Sequence, residues 1–424
     1  MEILLKKSLI LHFRPKTVNS KAVDFTLTFG LGGMAFILII LLFVTGLLLK
    51  FYYLPFPDRA YDSIVYLNNN VLFGQFIRNI HYWSANILII DAFLHLLRVF
   101  FTSAFHSPRR LNWLMGIGLF IIIILFNFTG YLLPWDQLSF WAVTICTGMM
   151  EYIPWAGKWI QTITRGGAEV GAPTLSIFYA AHTALLPASM IILLPFHFWR
   201  IRMAGGITIP EHNKRIGARI PVIPDLLLRE IVTALVLIAV ILVLSIMYNA
   251  PLGETANPGL SPNPTKAPWY FMGFQEMLLH VHPIIAVCVI PILIVIGLVT
   301  IACAEYSTDS EGIWFISRKG RNAAIASFTV AIVLAAIVIL LDEYVVDFSI
   351  LFPGISPLIS NGLIPAAIAA LAFFSFYYFL IKKYSPDKNE KVQAVFVFFL
   401  TIFIIFAITG IWFRSDGMKL AWPF

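Results

Sequence analysis

The chain has 424 residues, of which 59% are hydrophobic and only 12% are charged. Charged residues make up about a quarter of a typical soluble domain, so this composition excludes an ordinary soluble protein. The three cysteines, Cys146, Cys288 and Cys303, lie far apart. Their spacing excludes a disulfide framework, a zinc ribbon and the Cys-x-x-Cys-His motif that attaches c-type haem.

Apolar stretches of about 20 residues recur along the chain and predict about nine transmembrane spans. Backbone groups in lipid need partners within their own segment, and the stretches are too long for barrel strands. We therefore expect an all-α integral membrane protein. The predicted spans are 30–50, 80–100, 114–133, 176–200, 230–248, 284–303, 322–341, 362–382 and 393–413.

Lysine and arginine are distributed unevenly between the segments that join these spans. If residue 1 is cytoplasmic, 21 of the 29 Lys and Arg residues lie on the cytoplasmic side. The positive-inside rule then predicts a multi-pass protein of a bacterial-type inner membrane with a cytoplasmic N-terminus. This bias explains the net charge of +7 without a nucleic-acid partner. Segment 1–28 lacks the pattern of a cleavable signal peptide.

Four of the nine histidines lie inside two spans, His81 and His95 in the second and His182 and His197 in the fourth. Spacings of 14 and 15 residues correspond to roughly 21–23 Å along a helix and return to roughly one face. In two antiparallel neighbours, His81 would meet His182, and His95 would meet His197. This arrangement predicts two bis-histidine iron sites, each able to hold a haem. A helix neighbour or a proton relay would explain any single intramembrane histidine.

Glycines repeat the same spacing in the neighbouring spans, with Gly32 and Gly46 in the first and Gly116 and Gly130 in the third. A porphyrin needs a wall without side chains, which glycine supplies. Ordinary small-residue packing would explain each glycine alone. The repeated interval of 14 favours haem clearance.

Two arginines lie three residues from a predicted ligand, Arg78 before His81 and Arg98 after His95. An arginine about one turn from a ligand can pair with a haem propionate. Snorkelling towards the charged membrane face is the alternative for Arg98.

Several motifs around these residues resemble cytochrome b of quinol-oxidising cytochrome bc complexes. They are FIRNIHYWS at 76–84, GYLLPWD at 130–136, SFW at 139–141 and HTALLP at 182–187. The similarity covers most of 20–305. The spacing of 15 is similar to the chloroplast-type, split form of the family, whose two halves are here fused in one chain.

The resemblance implies a four-helix bundle with two haems b in the N-terminal half. His81 and His182 would hold the low-potential haem, and His95 and His197 the high-potential haem. It also implies quinol oxidation at the outer face. One electron would go to a Rieske-type iron–sulfur protein, and from there to a c-type cytochrome or another acceptor. The second electron would cross both haems to a quinone at the cytoplasmic face. A homodimer in membrane lipid is implied too.

The resemblance also suggests quinone-site residues. Tyr131, Trp269 and Tyr270 match the outer site, and Arg229 with Glu230 matches a charged pair near the inner site. Two positions depart from the family pattern. Pro268 stands where the family has a proton-accepting glutamate, and Gly30 stands where chloroplast-type members anchor an extra haem through cysteine. We therefore expect no covalently attached haem at Gly30.

Some other base must accept the quinol protons if the motif glutamate is absent. Glu276 is the nearest carboxylate downstream of Tyr270, and His280 follows one turn later. We expect burial to raise the pKa of Glu276 towards the working range and His280 to relay its proton. The alternatives are a Glu276 that reaches water or pairs with an arginine of a partner subunit, and a role for Glu254.

We expect three parts in chain order: a di-haem core at 1–215, quinone-site helices at 216–345 and two additional C-terminal helices at 346–424. Two other functions stay open from sequence. A di-haem membrane anchor of a dehydrogenase would usually be shorter and lack the Trp-Tyr loop. A proton-coupled transporter would use the same histidines but would be colourless.

Overall fold

A computed structural model describes residues 16–306 and 311–422, and the basic residues Lys6, Lys7 and Arg14 lie outside this range. Within it, nine helices are long and apolar enough to cross a membrane, as predicted. They are α1 Leu31–Lys50, α2 Gly74–Phe101, α3 Arg110–Leu132, α4 Ala172–Met203, α5 Val222–Met247, α6 Ile285–Cys303, α7 Arg318–Tyr344, α8 Ile359–Tyr384 and α9 Lys388–Trp412.

Shorter elements connect the long helices. The short α-helices are Phe25–Thr28, Ala60–Asn70, Gln137–Met149, Gly157–Arg165, Glu211–Ile216, Met272–His280 and Phe348–Leu351. Strand β1 (Thr17–Asn19) pairs antiparallel with β2 (Arg219–Pro221). This pairing ties the segment before α1 to the segment before α5.

The long helices bury little of their apolar surface against one another. Only 11% to 39% of the most apolar window of each helix is buried within the chain. A water-soluble protein could not leave so much apolar surface uncovered, so these faces meet lipid or other subunits. The chain is a multi-pass membrane protein.

Helix α2 begins six residues before its predicted start, because polar side chains in its first turns have partners. Asn79 Nδ2 donates to Ser245 O at 2.9 Å and to Asn249 Oδ1 at 2.9 Å. Arg78 is bonded as well, as described below. Hydropathy counts these polar residues as interruptions of the span, whereas in the folded chain their side chains have hydrogen-bond partners.

Three of the long helices contain a wide π-helical turn beside a proline. In α4 the turn is Ala181–Leu185, and Pro187 follows it. The same pairing occurs at Pro291 in α6 and Pro365 in α8. Proline lacks an N–H and crowds the carbonyl four residues earlier, so the helix widens locally.

The described residues form two compact units, each built from separated parts of the chain. In the first unit (16–136, 175–254 and 311–314), α1 packs along α2, and α3 packs along both α2 and α4. Helix α5 packs against α1 and α2. These contacts form the bundle that carries the four histidines.

The second unit comprises 137–174, 255–306 and 315–422. Helix α9 packs along α7 and against the short helix Met272–His280, and α8 contacts α7. The three-part division in chain order is a functional hypothesis that these units do not test.

Candidate functional site

Each of the four spaced glycines faces one of the four spaced histidines. A Cβ atom added at the glycine would approach the Cε1 atom of the imidazole in every case. The distances are 3.4 Å for Gly32 and His95, 3.2 Å for Gly46 and His81, 3.6 Å for Gly116 and His197, and 2.7 Å for Gly130 and His182. The glycines therefore clear space at the histidine rings, at two levels of the bundle.

The rings of His81 and His182 lie opposite each other, with centroids 6.2 Å apart. A metal–imidazole bond is about 2 Å long, so two imidazoles on opposite sides of one metal place their centroids about 6 Å apart. The pair would therefore fit one haem iron held between the two imidazoles. Haem iron takes its other four ligands from the porphyrin, so no larger cluster of protein ligands is needed.

The π-helical turn of α4 explains why the two histidine spacings differ by one residue. Leu186 N–H donates to Ala181 O across five residues, so the turn around His182 holds one extra residue. The 15-residue interval from His182 to His197 is therefore geometrically equivalent to 14 residues of regular helix. It matches the interval from His81 to His95 in the uninterrupted α2.

Two threonines set the tautomer of the His81 and His182 rings. Thr45 Oγ1 lies 2.9 Å from Nδ1 of His81 and donates its own hydrogen to the Leu41 carbonyl at 2.7 Å. Thr45 Oγ1 must therefore accept a hydrogen bond from the N–H at Nδ1 of His81. The Nε2 lone pair of His81 is then free to bind iron.

Thr129 repeats this arrangement across the pair. Its Oγ1 lies 3.2 Å from Nδ1 of His182 and donates to Leu125 O at 2.7 Å. Nδ1 of His182 also lies 3.0 Å from Phe126 O, which can only accept. Both rings thus keep the Nε2 lone pair free, and Nε2 would be the atom that binds a haem iron, with its basicity raised by the hydrogen bond at Nδ1.

The two arginines expected near haem propionates are both buried. Arg78 Nη1 donates to Ala250 O at 3.0 Å and Nη2 to Pro251 O at 2.5 Å, so this side chain holds the segment after α5. Arg98 Nε donates to Leu27 O at 2.9 Å, while its buried Nη2 has no partner. A buried unpaired guanidinium nitrogen calls for an anion. Arg98 therefore fits a propionate partner, and the propionate role of Arg78 stays a prediction.

A buried ionic network occupies the second unit. Arg414 Nη2 donates to Glu276 Oε1 at 2.6 Å, and both side chains are at most 1% exposed. Arg414 Nη1 donates to Glu343 Oε2 at 2.6 Å. His280 places Nε2 3.2 Å from Glu276 Oε1 and Nδ1 2.7 Å from Asp342 Oδ2. Asp342 and Glu343, with 29% and 21% of their side chains exposed, are the members that reach towards solvent.

The pKa of Glu276 shifts in the direction opposite to the one expected from the sequence. Burial alone would raise that pKa, but hydrogen bonds from His280 and Arg414 and their positive charges outweigh it and lower the pKa. For His280, burial lowers the pKa, and the hydrogen bonds and charges of Asp342 and Glu276 reverse this and raise it. Glu276 therefore pairs with an arginine, but that arginine is Arg414 of this chain and not an arginine of a partner subunit, as the alternative supposed.

Comparison with known proteins agrees with this geometry. A family model described as Cytochrome b/b6/petB matches residues 17–205. Cytochrome b6 of Desmonostoc sp. (strain PCC 7906) is 43% identical over 175 residues, which are 41% of this chain and 81% of that relative. The chain belongs to the cytochrome b/b6 family. Cytochrome b6 of Mastigocladus laminosus gives the same identity and coverage.

The fold likeness extends over most of the chain. A chain of a solved structure described as Hyperthermophilic respiratory Complex III superimposes with a TM-score of 0.66. It covers 96% of this chain and 95% of that chain at 19% identity, which supports a shared fold. This cytochrome b is therefore a bc-type membrane subunit of electron transport, and haem binding is a property of its family.

The predicted Trp269-Tyr270 motif of this cytochrome b lies in the second unit, in a turn that leads into helix Met272–His280. Gln275 holds this turn by accepting from Ala267 N at 2.6 Å and donating to Thr265 O at 2.8 Å.

A narrow crevice of about 10 Å³, which is room for about one water molecule, opens beside this turn. Its lining comes from helix Gln137–Met149 and from the loop before the motif, and consists of Ala142, Ile145, Cys146, Met149, Thr265, Ala267 and Gln275. Most of these lining side chains are apolar.

The remaining predicted site residues lie in the first unit. Tyr131 follows Gly130 in the last turn of α3. Arg229 and Glu230 are exposed in α5, and Arg229 Nη1 donates to Val23 O at 2.8 Å. Gly30 precedes α1 with φ of +69°, a conformation that disfavours any side chain. Their quinone-site roles stay predictions.

Sequence reasoning missed Thr45, Thr129 and Arg414. Thr45 and Thr129 each precede a spaced glycine, so a repeated Thr-Gly pair at 45–46 and 129–130 was the available signal. No comparable signal marks Arg414, which pairs with a carboxylate 138 residues away in the chain.

Proposed function

We propose that this chain oxidises a quinol in a cytochrome bc complex and passes one of its electrons across the membrane, using two haems b as one-electron carriers. The observation that carries the proposal is the set of four glycine–histidine facings at two levels of one bundle. The interval of 14 residues places the two levels about 21 Å apart along the helix. Each level then holds one haem between two imidazoles.

The direction of transfer follows from the lysine and arginine bias. With the N-terminus in the cytoplasm, the His81–His182 level lies towards the outer face and would carry the low-potential haem. The His95–His197 level lies towards the cytoplasm and would carry the high-potential haem, near Arg229 and Glu230 at the start of α5. A quinone reduced there would complete the path of the second electron.

The first electron needs an acceptor outside this chain. We assign it to a Rieske-type iron–sulfur protein, with a c-type cytochrome or similar carrier beyond it. The extensive uncovered apolar helix faces support assembly with other membrane subunits or with a second copy of the chain.

The outer quinol site is proposed at the apolar crevice beside Trp269 and Tyr270. The crevice is narrow, so a quinol ring would widen it on entry. Tyr131 is proposed to take part in quinol oxidation on the strength of its motif alone.

Protons released by the quinol would leave through the buried ionic network. Glu276, His280 and Asp342 form a continuous line from a fully buried carboxylate to a partly exposed one. The lowered pKa of Glu276 makes it a weak base. A weak base suffices if proton transfer accompanies electron loss, because an oxidised quinol is far more acidic than a reduced one. His280 then passes a proton on through Asp342 to water.

The test is the optical spectrum and haem content of the complex that contains this chain. We expect two haems b per chain by pyridine haemochrome, both reducible by added quinol. His81→Ala should remove one haem and His95→Ala the other. A wild-type ratio near one haem or none would contradict the proposal. A colourless preparation would favour the transporter alternative instead.

A further inference from the structure

One buried carboxylate in the haem bundle has no role in the reactions above. Asp91 lies in the middle of α2 and is 5% exposed. Neither of its carboxylate oxygens has a hydrogen-bond donor in bonding geometry, and the backbone of Ala35 in α1 is the polar group that approaches it. An ionisable side chain this deep in a membrane span is costly to keep unless it has a function.

The position of Asp91 relates it to one haem level. Asp91 precedes His95 by four residues, which is about 6 Å along the axis and about 40° around the helix. Ala35 likewise follows Gly32, which faces His95, by three residues of α1. The Asp91–Ala35 contact therefore lies one turn deeper than the His95–Gly32 contact, in the same seam between antiparallel helices.

No other charge lies at this depth among the described residues of the packed elements. The ionisable groups of those elements stand near helix ends or at the two histidine levels. They are Lys50 of α1, Tyr61, Asp62 and Tyr66 of helix Ala60–Asn70, Arg78, His81, Tyr82, His95 and Arg98 of α2, Arg110 and Tyr131 of α3, Tyr179, His182, His197, Arg200 and Arg202 of α4, and Asp225, Arg229 and Glu230 of α5. A charge change at the His95–His197 level would therefore act on Asp91 with little competition.

We infer that Asp91 is a proton-binding site coupled to the electron at the His95–His197 level. The inference rests on the haem occupancy of the proposed function. When one electron from quinol reduces the ferric iron there, one proton binds the Asp91 carboxylate and makes it a neutral carboxyl. When the electron leaves to a quinone, the carboxyl releases that proton. The net charge of this part of the membrane is then the same before and after transfer.

The physical reason is the low dielectric of the span. A ferric haem with a neutral porphyrin periphery carries one positive charge that an ionised Asp91 offsets. The ferrous form has lost this charge, so an ionised carboxylate would be left uncompensated in lipid surroundings. Proton uptake removes this cost and makes the His95–His197 haem easier to reduce at low pH.

The experiment is a potentiometric titration of the intact complex, followed by haem absorbance at a series of pH values. In the wild type, the midpoint potential of the His95–His197 haem should fall as pH rises, with a slope approaching one proton per electron. Asp91→Asn should abolish that slope, and Asp91→Glu should keep it. The His81–His182 haem should behave identically in all three proteins and serves as internal control.

An unchanged slope in Asp91→Asn, or no slope in the wild type, would overturn the inference. If Asp91→Asn does not assemble, infrared difference spectra of wild type and Asp91→Glu decide. A carboxyl C=O band that appears on reduction and shifts in Asp91→Glu supports the coupling, and its absence refutes it. A wild-type complex without the absorbance of either haem would instead refute the proposed function.

Discussion

Gly130 faces His182 so closely that a Cβ atom at the glycine would lie 2.7 Å from Cε1 of the imidazole. Real Cβ atoms do not make such contacts, so any side chain at 130 must displace the ring. The ring in turn is fixed at Nδ1 by Thr129 and by the carbonyl of Phe126. Displacement would therefore break the hydrogen bonds that select the ligand tautomer.

Replacement of this glycine gives the first prediction. Gly130→Ala should lower occupancy of the His81–His182 haem and leave the other haem in place, because the added methyl group pushes His182 away from its ligand position. The measurement is haem content per chain together with the reduced-minus-oxidised spectrum. Gly118→Ala in the same helix is the control, since a Cβ there meets nothing within 4 Å. Equal haem loss in both variants would show general helix damage instead.

The second prediction concerns Thr45. Thr45→Val keeps the shape of the side chain but removes the acceptor for Nδ1–H of His81, so the ligand becomes less basic. A less basic ligand stabilises ferric iron less, and the midpoint potential of the His81–His182 haem should rise. Redox titration measures the change. Thr45→Ser retains the oxygen and should stay near wild type, and a similar rise in both variants would rule out the hydrogen bond as the cause.

The third prediction tests the proton outlet. Glu276→Gln keeps the shape and removes the base, so quinol oxidation should fall by about 10²-fold with both haems retained. Steady-state turnover with quinol and an electron acceptor is the measurement. Glu254→Gln, on an exposed loop, is the control. Near-normal turnover in Glu276→Gln with loss in Glu254→Gln would transfer the role to Glu254.

The fourth prediction concerns the ion pair that joins the C-terminal segment to the loop helix. Arg414→Met leaves Glu276 buried without its cation, which should destabilise the protein by about 3–5 kcal/mol. Thermal unfolding in detergent reports the loss. The double variant Arg414→Met with Glu276→Gln removes the orphaned charge and should recover part of the stability. No recovery would mean that Arg414 acts through Glu343 or through packing.

Local helix geometry allowed much of this protein to be predicted from sequence. Hydrophobic length fixed the nine spans, because lipid demands helices of about that length. The histidines and glycines were predictable because helix periodicity converts a residue count directly into depth and face. Gly130 faces His182 at a depth consistent with such counts, and its role in clearing space for a haem stays a prediction.

Only the tertiary structure could decide what depends on distant residues. The pKa of Glu276 was predicted in the wrong direction because Arg414, its counter-charge, is 138 residues away in the chain and no local pattern links them. The extra residue between His182 and His197 acquired its meaning from the π-helical turn beside Pro187. Local backbone periodicity determined the depth of each residue in its span and the helix face on which it lies. The electrostatics of each buried group depended instead on the side chains that packing brought beside it.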